Sequence, residues 1–268
     1  MNDRADQPLL LSDCQQGILR LTLNDPARRN ALSQALMAEL ATVLQSAADD
    51  SAVRVIVIAA NGPAFCAGHD LKEITAARAE PDKGLALFER LIDSCAVLMQ
   101  QIANHPKPII AEVAGVATAA GCQLVASCDL AVAAESARFA TPGVNIGLFC
   151  STPMVPLSRN VHTKHAMELL LLGDMVSAQR AEQIGLINHA VAEEELTATA
   201  MAMAAKIASK SSYTLQVGKQ AFYNQLHKPL DEAYRYTAQV MVNNLLAADA
   251  NEGICAFIDK RPPQWQDC

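Results

Sequence analysis

Val53-Arg54-Val55-Ile56-Val57-Ile58-Ala59-Ala60 leads straight into Asn61-Gly62-Pro63-Ala64-Phe65-Cys66-Ala67-Gly68-His69-Asp70-Leu71-Lys72. A near-continuous apolar run of strand length is buried on both faces, as strands of a parallel sheet are. Asn61-Gly62-Pro63 closes that strand. Small residues after a buried strand expose backbone N–H groups where α/β proteins meet their ligands, although a plain turn would have the same composition. A second stretch repeats the pattern. Ala114-Gly115-Val116-Ala117-Thr118-Ala119-Ala120-Gly121-Cys122-Gln123 follows the apolar strand Ile109–Val113 and leads into a short helix near Gln123. Small side chains let a ligand approach the main chain, and the helix start adds the positive end of its dipole. Two such loops are able to place two N–H donors on one oxygen, which is an oxyanion hole.

The same rhythm of strand, turn and helix extends outward from these stretches. Leu9–Ser12 and Ile18–Leu23 read as strands joined by a turn at Gln15-Gln16-Gly17. Ser33 is placed to cap a helix that carries Leu36, Met37, Leu40, Val43 and Leu44 on one face and ends at Asp49-Asp50. An amphipathic helix follows over Leu85–Ile102, then a Pro-bounded entry at His105-Pro106-Lys107-Pro108, strand Ile109–Val113 and strand Leu130–Ala133. Ser177–Ile184 is a short helix with Gly185 just past its end, followed by strand Leu186–Val191. From Glu193 onward the apolar spacing is helical throughout, as Met201, Ala205 and Ile207, then Tyr213, Val217 and Phe222, show. The fold class is α/β, with a core over residues 1–195 and a helical appendage over 196–268 that packs on the core or on a neighbouring subunit.

Composition narrows the function. The 268 residues carry 21 Lys+Arg against 28 Asp+Glu, a net charge of −7, which excludes a general nucleic-acid binder. Hydrophobic residues make up 51% with only 4% aromatic, so the core is built from Ala, Val, Leu and Ile. The most apolar region, Ile109–Ala134, is broken by Glu112, Gln123, Ser127 and Asp129, so no membrane span is expected. Met1–Asp13 carries Asp3, Asp6 and Asp13 and no apolar h-region, so neither a secretory signal nor an Arg-rich transit peptide is evident, and a cytoplasmic address is the expectation. The eight cysteines include no C-x-x-C pair, and neither disulfides nor a metal site is expected. His162 and His165 could share a helix face, yet no third ligand has suitable spacing. The phosphate-binding G-x-x-x-x-G-K-[ST], the dinucleotide G-x-G-x-x-G, the G-x-S-x-G elbow and H-E-x-x-H are all missing from the sequence.

Four ordered segments carry a resemblance that spans nearly the whole chain: Leu21-Thr22-Leu23-Asn24-Asp25-Pro26-Ala27-Arg28-Arg29-Asn30-Ala31-Leu32-Ser33, Phe65–Glu73, Lys107-Pro108 with its strand, and Cys128-Asp129-Leu130-Ala131-Val132-Ala133. The chain resembles the crotonase, or enoyl-CoA hydratase/isomerase, superfamily. Ala117–Asp129 and Phe139–Pro153 look most like its enoyl-CoA hydratase domain-containing protein 3 branch. The resemblance implies a spiral core of ββα turns and C-terminal helices that trimerise, giving a homotrimer or a dimer of trimers. It implies an acyl-CoA thioester as substrate, fatty-acid metabolism as the setting, and no cofactor besides. It implies that the backbone N–H groups of His69 and Ala120 form the oxyanion hole. Arg28, Arg29, Ala31 and Leu32 match the segment lining the CoA pantetheine and phosphates, and Ala67, Asp70 and Leu71 match the adenine side. Phe257 and Lys260 match a tail that reaches a neighbouring subunit's CoA.

The chain departs from the hydratase pattern at the acid and base. Hydratases of this family use two glutamates, and the matching positions here are Gln123 and Gly143. A glutamine amide orients water but takes no proton near neutral pH. Alanine replaces glycine at 119 and 120, which keeps both N–H groups and narrows the site. Three replacements are open: a water held by Gln123, an external anion in the space left by Gly143, or the thiol of Cys150, which is otherwise a buried inert cysteine. The expected activity is hydration of a 2-enoyl-CoA by a lyase. The alternatives are a non-catalytic acyl-CoA binder and another oxyanion-hole reaction, such as isomerisation, thioester hydrolysis or decarboxylation.

Overall fold

A computed structural model of the chain describes residues 7–268, so residues 1–6 of the acidic N-terminal stretch lie outside the described residues. A hairpin of β1 (Leu10–Gln15) and β2 (Ile18–Leu23) opens the chain. It is longer than the sequence suggests because its register carries through to Gln15 opposite Ile18. Helix α1 (Gln34–Asp49) is capped by Ser33, whose hydroxyl accepts from the Leu36 N–H, and it buries Leu36, Met37, Leu40 and Leu44. Strand β3 (Val55–Ala60) is buried almost end to end.

The stretch after β3 is not one loop. Ala64–Cys66 forms β4, and Asp70 caps α2 (Leu71–Ala77) through the Lys72 N–H. Then come α3 (Leu85–Asn104), β5 (Ile109–Val113), β6 (Val116–Thr118), α4 (Ala120–Ser127), β7 (Leu130–Ala134) and β8 (Arg138–Ala140). Two helices, α5 (Met154–Asn160) and α6 (Thr163–Leu172), lead to β9 (Val176–Ser177), α7 (Ala178–Gln183) and β10 (His189–Val191). β10 is shorter than expected, because the Leu186 and Ile187 N–H groups both turn back to the Ala181 carbonyl and finish α7. Four helices end the chain: α8 (Leu196–Ala208), α9 (Ser212–Gln225), α10 (Leu230–Leu245) and α11 (Ala248–Ile258).

The strands form two sheets, ordered β1-β2-β3-β5-β7-β10 and β4-β6-β8-β9. β2, β3, β5, β7 and β10 run parallel, as do β4, β6 and β8. Each turn of the chain therefore gives one strand to each sheet, β3 then β4, β5 then β6, β7 then β8, with a helix between turns. This is a ββα spiral. The space it encloses is filled by one continuous apolar cluster running from Leu19 and Leu36 through Phe65, Leu98 and Ile109 to Phe139 and Leu170.

Helix α8 covers the other face of the large sheet, where Ala204 packs with Ile18, Val55, Val57 and Ile110, and Leu196 and Ala200 pack with Val132 and Ala134. Two carboxylates, Glu112 buried and Asp129 half-buried, tie the later helices down. Glu112 in β5 accepts from Arg20 at 2.7 and 3.3 Å and from the Thr197 hydroxyl of α8 at 2.7 Å. Asp129 accepts from the Ile109 N–H, from Lys219 Nζ at 2.7 Å and from the Tyr223 hydroxyl at 3.1 Å, which locks α9 to the core. Both carboxylates thus have their charge paired and hydrogen-bonded, as a group withdrawn from water requires.

Candidate functional site

Parallel strands end together, and in α/β folds the loops at those ends meet ligands. Here the carboxyl ends of β4, β6 and β8 bring together Ala67-Gly68-His69, Ala119-Ala120 and Thr141-Pro142-Gly143. The first two are in contact: a Cβ placed on Gly68 would lie 2.9 Å from the Ala119 Cβ and 3.4 Å from the Ala120 nitrogen. Gly68 has φ +91, so both its conformation and its surroundings require glycine. Gly121 is pressed still closer, since a Cβ there would meet the Cys66 carbonyl oxygen at 2.1 Å. The third loop joins through the Ala119 N–H, which donates to the Ala140 carbonyl at 2.9 Å.

Two backbone donors stay free in this junction. Leu32 bridges His69 in parallel, with its N–H bonded to the Gly68 carbonyl, so the His69 N–H faces away from that partner. Ala120 is the first residue of α4, where helical N–H groups have no intrahelical acceptor. Neither N–H has an acceptor among the described residues. Ala119 sets the direction of the second donor at φ +50, ψ −118, a region that costs a residue with a Cβ about 1–3 kcal/mol. Such a pair of donors can hold one oxygen and favour charge that develops on it.

The residues expected around CoA gather on one side of this junction. A short 3₁₀ turn at Pro26–Arg28 is followed by Arg29 and Asn30, both with positive φ. Asn30 is fully buried; its amide donates to the Asn61 and Ala64 carbonyls, and its oxygen accepts from the Asp25 N–H. Asparagine tolerates this conformation and satisfies all three groups, a positioning role that local sequence does not reveal. The Ala67 N–H donates to the Arg29 carbonyl, so Arg28–Leu32 lies along Ala67–Asp70. Arg28 pairs with Asp25 and Asp70, each at 3.4 Å, while Leu71 is exposed beside them. Phe257 and Lys260 stand apart from this group. Phe257 lies in the last turn of α11 and Lys260 just beyond it; α11 packs on α9 and α10, and Phe257 is 85% exposed. A cavity of about 660 Å³ opens between α2 and α3, bordered by Gln34, Glu73, Ala77, Leu87 and Arg90.

The groups available for proton transfer are few. Gln123 is buried one turn into α4, and its Oε1 accepts from Cys95 Sγ at 3.8 Å. Gly143 has no side chain, and a Cβ there would lie 2.8 Å from the Leu148 carbonyl oxygen and 2.9 Å from Cys150 Sγ. Cys150 thus stands in the space a side chain at 143 would need. Burial raises the Cys150 pKa, partly offset by the Gly143 backbone, and pushes Cys95 up to about 11 and Cys66 and Cys122 up to about 12. These thiols stay protonated near neutral pH and are poor nucleophiles. Among the described residues no group of three or more His, Cys, Asp or Glu is placed to hold a metal ion. His162 precedes α6 and lies edge-on to His165, which contacts Arg180.

A sequence model described as enoyl-CoA hydratase/isomerase matches residues 13–268. The chain belongs to the enoyl-CoA hydratase/isomerase family. Among relatives, the mitochondrial enoyl-CoA hydratase domain-containing protein 3 of Rattus norvegicus is 49% identical over 260 residues, 97% of this chain and 85% of that protein. A crystal structure of enoyl-CoA hydratase from Mycobacterium smegmatis matches at TM-score 0.92 and 48% identity, over 97% of this chain and 99% of that one. The crystal structure of human enoyl Coenzyme A hydratase domain-containing protein 3 matches at TM-score 0.91 and 45% identity, over 96% and 100%. The ββα spiral described above is therefore the fold of this family. No described helix is long and apolar enough to cross a membrane.

Proposed function

We propose that the protein binds acyl-CoA thioesters and polarises their carbonyl between the His69 and Ala120 N–H groups. The observation that carries this reading is the pair of unpaired donors where the ends of β4 and β6 touch. Arg28, Arg29, Ala31, Leu32, Ala67, Asp70 and Leu71 line the CoA side. The site is hydratase-like in its binding half, and hydration of a 2-enoyl-CoA is the reaction it would serve. It lacks the two-carboxylate half, because Gln123 is a neutral amide and Gly143 has no side chain. Each missing acid or base costs about 10²–10⁴ in rate, so crotonyl-CoA hydration is expected far below that of a two-glutamate hydratase.

The helices over 196–268 are proposed to build a trimer or a dimer of trimers, and Phe257 and Lys260 to reach a neighbouring subunit's CoA. Support comes from the apolar side chains that α10 and α11 leave uncovered, with Leu246 at 82% and Phe257 at 85% exposure. A cytoplasmic address is proposed on the eight free thiols, as in a reducing compartment, whereas the animal relatives carry mitochondrial names.

The deciding experiment measures crotonyl-CoA binding first, then its hydration beside a two-glutamate control, with bicarbonate present and absent. Binding with turnover near the control would mean that a full acid–base pair exists and would overturn the account of positions 123 and 143. Binding with little turnover supports an acyl-CoA site specialised for carbonyl polarisation. No binding removes the proposal.

A further inference from the structure

Among the described residues, three buried side-chain polar atoms have no hydrogen-bond partner: His69 Nε2, Thr141 Oγ1 and Asn244 Nδ2. Leaving such an atom unpaired costs about 1–3 kcal/mol, so each calls for an explanation. Two of the three stand at the candidate site. Thr141 follows Ala140, whose carbonyl anchors Ala119, and His69 carries one of the two free N–H donors.

The protonation of His69 follows from its surroundings. Nδ1 lies 3.3 Å from the Leu32 carbonyl oxygen, which only accepts, so Nδ1 carries the ring hydrogen. Burial lowers the pKa below its ordinary value, opposed only by that carbonyl, and no charged side chain contributes. The ring is therefore neutral near pH 7, with an unshared electron pair on Nε2. A buried, unpaired base thus sits on the same residue whose main chain faces the ligand oxygen. Gln123, a neutral amide, Gly143 and the protonated thiols offer no base of their own.

We propose that the His69 imidazole is a catalytic base for the α-proton of the bound acyl-CoA, so that the site catalyses reversible enolisation of saturated thioesters. The inference rests on the acyl-CoA reading of the site. In the forward step the α-C–H bond breaks and an Nε2–H bond forms. The C–H electron pair becomes the enolate double bond, and the carbonyl π pair moves onto the oxygen held by the two N–H donors. The reverse step returns a proton from Nε2 to the α-carbon, and no other reactant is consumed. In heavy water the imidazole hydrogen exchanges with solvent between the two steps, so deuterium accumulates at C2.

The test incubates the full chain with butyryl-CoA in deuterium oxide and follows C2 by mass spectrometry, with butyryl-CoA binding measured by calorimetry. His69→Gln keeps the backbone N–H and removes the base. The wild type is expected to exchange C2 well above buffer, with a rate that rises with pH to a plateau and a midpoint below 6.5. His69→Gln is expected to bind but to exchange at least about 100-fold more slowly. Wild-type binding without exchange, or equal exchange in His69→Gln, would overturn the base assignment while leaving the binding site standing. No wild-type binding would bring down the acyl-CoA reading and this inference with it. Should His69→Gln fail to fold, ¹⁵N resonances of the wild-type ring decide: the neutral Nδ1–H tautomer is expected at pH 7, and the Nε2–H tautomer or an imidazolium would contradict the proposal.

Discussion

At the scale of single residues, the candidate site stores strain where it aims a donor. Ala119 holds φ +50 and ψ −118 although it has a Cβ, and its N–H is fixed by the Ala140 carbonyl. Glycine adopts that conformation freely, so Ala119→Gly should raise stability by on the order of 1 kcal/mol, read as a higher thermal midpoint. An unchanged or lower midpoint would mean that the backbone there is not strained. The residue types of the junction were legible in the sequence, because small residues and a helix start announce exposed N–H groups. The partners of Glu112 and the triple role of Asn30 were not legible: Arg20, Thr197, Asn61 and Ala64 are distant in the chain and meet them only through the spiral.

Elements show the same division. β3, β5 and α1 could be read from apolar runs, spacing and a capping serine, since each is long enough to display a period. The three-residue strands β4, β6 and β8 could not, because three residues carry no period, and they are the strands that hold the site. Helix α9 was legible as a helix, but its attachment was not. That attachment runs through Lys219, buried against Asp129 at 2.7 Å, with donors also reaching the Ile102 and Lys107 carbonyls. Lys219→Ala would leave the Asp129 carboxylate short of its partner, at a cost of about 3 kcal/mol. Hydrogen exchange should locate the loss in residues 212–225, and wild-type protection there would contradict the lock.

Across the whole molecule, two consequences follow from burial. His105 is buried, with Nε2 donating to the Leu44 carbonyl and Nδ1 accepting from the Lys107 N–H. Burial lowers its pKa, as it does that of His69. The unfolded chain therefore binds protons that the folded chain refuses, and stability should fall as pH drops below about 6.5, the unfolded value. Denaturant midpoints measured from pH 7.5 to 5 should show this slope, reduced in His105→Gln; an equal slope in that variant would contradict it. The second consequence concerns assembly. Leu230 and Tyr234 on α10, Leu246 just past its end, and Phe257 and Ile258 on α11 are all at least 70% exposed, more apolar surface than scattered residues on a monomer explain. Light scattering should give three or six times 28.6 kDa, and Leu246→Glu should shift the mass toward the single chain. A monomeric wild type would remove the assembly proposal.

The central claim is that the His69 and Ala120 N–H groups hold a thioester carbonyl. Isotope-edited infrared spectroscopy of ¹³C=O-labelled butyryl-CoA reads that bond directly. The account predicts a carbonyl band shifted below its position in water when the ligand is bound, and loss of that shift in Ala120→Pro, which removes the second donor. A bound thioester whose carbonyl band stays at its aqueous position, or whose shift survives Ala120→Pro, would contradict the account.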